Sequence, residues 1–248
     1  MKIIHDFVEP ESLSPEAFDA YLAKGWFRMY QRMFSVTHWL NGETFDIDRV
    51  WWLRFELSQI QQHKSHQRIC KKNAKFDVRY EKYDGISEED KSLYRLYREW
   101  IRFDGYEDLS SCLYGKEENK NIFNSWSILI RDGGKLIARG IIDLGATALM
   151  AKVNFFDPAY ASYSLGKYLM LKSLDFMRIK GLQWYYPGYI IVDRPKFDYK
   201  LFLGEESAEY YDPETEVWKP YHPDIMKTEI RTEEEQELLE DVYFRIFR

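Results

Sequence analysis

The 248 residues carry 35 Lys and Arg against 41 Asp and Glu, a net charge of −6, and 45% of them are apolar. Such a chain can bury the core of one large domain or two small ones, and its acidic balance argues against coating nucleic acid through a bulk field, although a local basic patch can still hold phosphates. No run approaches the roughly 20 apolar residues of a membrane span, the charged first ten residues do not read as a signal peptide, and two cysteines are too few for a disulfide framework or a four-cysteine metal site. The expectation is a cytoplasmic globular protein without a membrane partner.

Ser14-Pro15-Glu16 reads as a helix start, a polar cap followed by proline and an acid, with Gly25 as its stop. Residues 32–58 centre on Asn41-Gly42, the signal of a tight hairpin, and Leu53, Phe55 and Leu57 alternate with polar residues as a half-exposed strand does. A polar, basic stretch follows at 63–75. Ser87-Glu88-Glu89-Asp90 is a capping-box pattern for a helix to about Phe103. Residues 104–121 read as a loop, and the domain boundary is placed there, dividing the chain into 1–118 and 119–248. Strands at 127–130, 136–144 and 148–156 form a meander around Asp132-Gly133-Gly134. A helix over 165–179 ends at Gly181, an aromatic strand covers 184–191, and Thr232-Glu233-Glu234-Glu235 opens a last short helix.

Strands, a bulky helix and a further strand suggest an α+β fold of the acetyltransferase-like (GNAT) type, a mixed sheet flanked by helices with a smaller α+β N-terminal region packed against it. In that fold a splayed sheet and the following helix N-terminus hold an acyl carrier. This is an analogy of architecture and carries no function by itself.

Residues 136–203 resemble the C-terminal domain of the arginyl-tRNA–protein transferase family, including its bacterial members that transfer leucine. The strings are Gly140-Ile141-Ile142-Asp143, Phe155-Phe156-Asp157-Pro158, Ser164-Leu165-Gly166-Lys167-Tyr168, Tyr185-Tyr186-Pro187-Gly188-Tyr189-Ile190 and Pro195-Lys196-Phe197-Asp198-Tyr199-Lys200. Ser65-His66-Gln67-Arg68-Ile69-Cys70-Lys71-Lys72-Asn73 is similar to the family's Ser-Gln-Arg-Arg and basic-Asn stretch. The sequence departs from the family pattern in lacking paired N-terminal cysteines, in having aromatics near Trp100 and Phe103 where many relatives have Arg-His, and in Pro187. No metal or iron–sulfur cluster is expected.

The resemblance implies aminolysis of the ester between an amino acid, arginine or leucine, and the terminal adenosine of tRNA. The nucleophile is the α-amine of an acceptor with N-terminal Asp or Glu, within an N-degron pathway. Aminoacyl-tRNA is the co-substrate, and no dissociable cofactor is implied. An α-amine of pKa about 8 is partly neutral at physiological pH, so positioning and oxyanion stabilisation outweigh strong base catalysis.

Asp143 is the candidate to hold or deprotonate the amine, or else a turn aspartate before Gly145. Tyr186 and Tyr189 are the other catalytic candidates; strand alternation puts Tyr185 and Tyr189 on one face and Tyr186 on the other. Ser164, Gly166 and Lys167 open a helix where free amides attract a phosphate or oxyanion, or where serine is a plain N-cap. Arg68, Lys71, Lys72 and Asn73 form a basic cluster for the tRNA backbone or an acidic acceptor. Lys196 and Lys200 add positive charge where an acceptor stem could lie. The alternatives are an acyl-CoA N-acyltransferase, which predicts a glycine-rich pyrophosphate loop, and a silent binding module of the same fold.

Overall fold

The computed structural model describes residues 4–40, 47–101, 105–115, 120–192 and 194–227. The Asn41-Gly42 turn, the expected helix from Thr232 and the side chain of Lys196 lie outside the described residues. Near the N-terminus, α1 (Pro15–Ala23) begins as expected: Ser14 Oγ accepts from the Ala17 amide and Pro15 occupies the first turn. Three short strands, β1 (His5–Val8), β2 (Phe27–Met29) and β3 (Arg32–Val36), make a small antiparallel sheet in the order β1-β3-β2.

The large sheet runs β12-β11-β5-β10-β9-β8-β7-β6. Its strands are β5 (Ile47–Glu56), β6 (Asp77–Lys82), β7 (Ser125–Asp132), β8 (Lys135–Leu144), β9 (Ala148–Phe156), β10 (Trp184–Ile191), β11 (Ala208–Asp212) and β12 (Val217–Pro220). The short β4 (His38–Leu40) pairs with the start of β5. Every neighbour is antiparallel except β9 and β10, which α5 (Leu165–Lys180) connects. The expected meander is therefore β7-β8-β9, and the α+β class of the sequence reading is the class observed.

The later part of β5 alternates as expected, with Leu53 and Phe55 buried and Arg54 and Glu56 half-buried, but the strand's middle is covered on both faces. The strand lies between β10 and β11, and both Trp51 and Trp52, on opposite faces, are buried. At that middle stretch, packing on both sides of the sheet covers both faces. The expected boundary near residue 118 falls between strands of this one sheet, β5 and β6 before it and the rest after it.

Helices cover the sheet. α5 buries nine side chains, among them Leu165, Leu169 and Met177, and ends at Gly181 with φ of 69°. The basic stretch is α2 (Lys64–Asn73), packed beside α5. α3 (Glu88–Trp100) starts with the expected reciprocal bonds between Ser87 and Asp90, and α4 (Leu109–Tyr114) occupies part of the expected loop. Loss of one fully buried leucine such as Leu169 from this core costs about 2–5 kcal/mol.

Candidate active site

β9 and β10 are hydrogen-bonded only at their starts, where Trp184, Tyr185 and Tyr186 face Ala148, Leu149 and Met150. Beyond those pairs they part, and each strand is irregular at that point. On β9, Lys152 is the extra residue between Ala151, opposite Ile142, and Val153, opposite Ile141. On β10, the register against β5 slips between Tyr185 and Gly188. Pro187 has no N–H to give a ladder, and Gly188 takes φ of 102°, which a side chain rarely adopts. Bulges of this kind bend a strand away from its partner.

A cavity of about 810 Å³ occupies the wedge, within the range of about 300–1,000 Å³ typical of small-molecule sites. β9 contributes Met150 through Asn154, and β10 contributes Tyr185, Gly188 and Tyr189. One wall is aromatic: Phe27 stacks on Trp52 at 3.8 Å between centroids, and Trp52 meets the edge of Tyr189 at 5.0 Å. Burial pushes the Tyr189 phenol up to about 12, so it stays a hydrogen-bond donor at neutral pH.

Lys200, carried by the 3-10 segment Pro195–Leu203, lines the same cavity. It is 7% exposed, its ammonium donates to the Tyr189 carbonyl, and the rings of Tyr189 and Phe197 each lie 4.7 Å away. Those rings favour the charged form, but desolvation is larger and brings its pKa down to about 7. Lys200, expected to add positive charge where an acceptor stem could lie or else to sit in a solvated loop, is a buried residue of the cavity wall.

Lys152 also lines the cavity, 5.8 Å from the Tyr106 ring. Burial pulls its pKa below the ordinary lysine range, and Arg28 adds repulsion. Asp48, the sole acidic residue among the described residues of the lining, accepts from Arg194 Nε at 3.0 Å.

The remaining expected residues fall elsewhere. Asp143 is fully buried behind the wall: its oxygens accept from Arg28 Nη1 at 2.8 and 3.0 Å, and Ser125 Oγ donates to it at 2.5 Å. Arg28 itself lines the cavity. Tyr186 is 2% exposed and packs edge-on to Phe27 and Trp218, away from the cavity lining. The β10 bulge inverts side-chain parity, so Tyr189 clusters with Tyr186 rather than with Tyr185 as plain alternation predicts.

A second group gathers outside. Arg68, Lys71 and Lys72 are exposed on α2. Lys72 donates to the Ser162 carbonyl at 2.6 Å, and the buried Asn73 donates to Tyr163 at 3.0 Å, which ties α2 to the start of α5. There Ser164 is exposed, in the left-handed region at φ 56°, and makes no side-chain cap bond, unlike the N-cap considered from sequence. Gly166 and Lys167 follow in the first turn, with Lys167 Nζ 4.9 Å from the Phe202 ring. Phe202 and Lys200 share the 3-10 segment, so the outer basic group abuts the cavity wall. No group of three or more His, Cys, Asp and Glu able to hold a metal occurs among the described residues. No helix of the described residues is long and apolar enough to cross a membrane.

Residues 89–207 match the family model described as "Arginine-tRNA-protein transferase, C terminus". That segment, a little under half of the chain, is similar to the C-terminal part of arginyl-tRNA–protein transferases. Two relatives bracket the likeness. "Arginyl-tRNA--protein transferase 1" of Saccharomyces cerevisiae is 32% identical over 112 residues, 44% of this chain and 22% of the relative. "Aspartate/glutamate leucyltransferase" of Aeromonas hydrophila is 29% identical over 154 residues, 60% of this chain and 62% of the relative. The chain thus covers less than two thirds of either relative's length. Among solved structures, L-PGS from Bacillus licheniformis overlays with a TM-score of 0.39 at 10% identity, covering 57% of this chain and 46% of that one.

The matched segment contains the wedge, α5 and Lys200. Arg28, Trp52 and the basic face of α2 come from residues before it. Sequence reasoning missed Arg28 and Lys152. A lone lysine inside the apolar string Leu149 to Phe156 was the available signal, because an interior strand seldom carries an unpaired charge.

Proposed function

We propose that this chain transfers an amino acid from charged tRNA to the N-terminal α-amine of acceptor proteins that begin with Asp or Glu. The observation that supports the reading is the aromatic cavity in the wedge between β9 and β10, within the family-matched segment, with the near-neutral amine of Lys200 in its wall. The acceptor amine attacks the ester carbonyl, a tetrahedral oxyanion forms, and the bond to the ribose oxygen breaks. Lys200, neutral in a large fraction at pH 7, accepts the proton of the attacking amine and returns it to the departing ribose oxygen. The Tyr189 hydroxyl is a donor for the developing oxyanion.

The outer group takes the tRNA. Exposed Arg68, Lys71 and Lys72, with the first turn of α5 beside them, offer cations and a helix N-terminus to the acceptor-stem backbone. The transferred residue is leucine: the cavity wall is aromatic and methionine-rich, and its one described carboxylate, Asp48, is bonded to Arg194. An arginyl side chain would find no free anion there. The work is done in the cytoplasm, on proteins destined for an N-degron pathway, with aminoacyl-tRNA as co-substrate and no other cofactor.

The test is transfer of radiolabelled leucine or arginine from charged tRNA to peptides beginning with Asp, Glu or Ala. Leucine on the Asp and Glu peptides is the expected result. Arginine on them would reverse the donor assignment, and label on neither would end the transferase reading.

A further inference from the structure

The cationic corner of the cavity has a charge balance that selects one kind of ligand. Lys152, the extra residue of the β9 bulge, lines the cavity beside the Tyr106 ring at 5.8 Å. Tyr106 in turn meets the edge of Tyr30 at 5.5 Å, and the Tyr30 carbonyl accepts from Arg28 Nε at 2.8 Å. These residues therefore share one end of the cavity. All three nitrogens of the Arg28 guanidinium are engaged: Nη1 serves Asp143 and Ser125, Nη2 the Leu113 carbonyl, and Nε the Tyr30 carbonyl. Asp143 is likewise held by Arg28 and Ser125. Arg28 and Asp143 cancel, which leaves Lys152 as the amine of this corner with no ion pair to it among the described residues. The groups that act on it are Cys112, Arg28 and Asp143, and desolvation outweighs all three.

We propose that Lys152 receives the side-chain carboxylate of the acceptor's first residue. One such amine, protonated when an anion joins it, matches one carboxylate and falls short of a doubly charged phosphate. A desolvated ammonium gains most from a partner that restores its charge, and an amide of the same shape supplies none. The site thereby distinguishes Asp from Asn and Glu from Gln. The assignment rests on the transfer reaction above and replaces the expectation that Arg68 on α2 meets the acceptor's acid; the outer helix is left to the tRNA.

The experiment compares the whole chain with Lys152→Met and Lys152→Arg, using peptides that begin with Asp, Asn, Glu or Gln. Two quantities are read: label transferred from charged tRNA, and direct binding of the fluorescent peptides. Wild-type protein is expected to favour the acids over the amides by about 30-fold or more. Lys152→Met brings the ratio to within about 3-fold, and Lys152→Arg keeps most of it. Met fills the lysine's volume and removes a desolvated charge, so the fold is expected to hold; should Lys152→Met fail to fold, Lys152→Gln takes its place. Label on acids with an unchanged acid-to-amide ratio in Lys152→Met overturns this site and leaves the transferase reading standing. If no peptide is labelled, the transferase reading fails, and the binding arm decides the site alone. Acid-selective binding lost in Lys152→Met upholds it, and unselective or absent binding overturns it.

Discussion

Arg68, Lys71 and Lys72 stand on the solvent face of α2, while Lys152 and Lys200 stand in the wall of the wedge a short distance beyond the start of α5. The outer cations are exposed to solvent, and Lys72 also donates to the Ser162 carbonyl. The inner ones are desolvated; Lys200 titrates near neutrality. Outer charge acts at range on a polyanion and is weakened by salt. Inner charge acts at contact, is governed by protons, and discriminates between single groups. In the proposed reaction basic side chains serve two substrates, and burial decides which.

Asp143 offers the largest way to break the contrast. Replacing it with Asn leaves the Arg28 guanidinium buried beside Lys152 with no counter-charge, which is expected to cost about 3 kcal/mol and lower Tm by about 10 °C. Calorimetry checks it. A stable Asp143→Asn with full stability at pH 7 would mean that the corner is wetter than its contacts indicate.

Lys200→Met comes next, with turnover at pH 7 expected to fall about 100-fold. Lys200→Arg keeps a fixed charge, so its rate loses the rise through about pH 7 and retains only the limb near pH 8 from the acceptor amine. Stability supplies an independent reading. The folded-state pKa of Lys200 is depressed to about 7, whereas the unfolded chain binds the proton up to about 10.4. Between those values the unfolded state holds more protons, so wild-type protein gains stability as pH rises from 7 to 10, relative to Lys200→Met. Parallel Tm curves for the two proteins across that window would remove the depressed pKa and the base role with it.

The smallest effect belongs to the outer face. Neutralising Arg68, Lys71 and Lys72 to Gln is expected to weaken tRNA binding about 10-fold at low salt. It is also expected to flatten the slope of log affinity against log salt by about 2 to 3 units. The preference for Asp over Asn acceptors is expected to persist. Loss of that preference would merge the two groups into one site.

The contrast also explains what could be read from the sequence. The α2 cations come as a run, and the capping boxes, the β7-β8-β9 meander and α5 are written in short-range patterns. Lys152 and Arg28 are isolated charges in apolar strings, and what makes them a site is a one-residue slip in β9 and a three-dimensional meeting with β2. Tyr189 shows the same thing: a single bulge at Pro187-Gly188 moved it to the other side of its strand. Asp143 was visible as a carboxylate at the end of β8, but the Arg28 contact that occupies it joins residues far apart in the chain.

The position of β5 carries a consequence for synthesis. Residues 50–56 hydrogen-bond to β10 and β11, which the ribosome makes only at residues 184–191 and 208–212. At about 5–20 residues per second, Trp51, Trp52, Leu53 and Phe55 leave the exit tunnel several seconds before the strands that cover them. A nascent chain in that interval presents an apolar, unpaired edge, so slow codons or a holding chaperone acting between β5 and β11 would affect yield more than any single contact in the finished sheet.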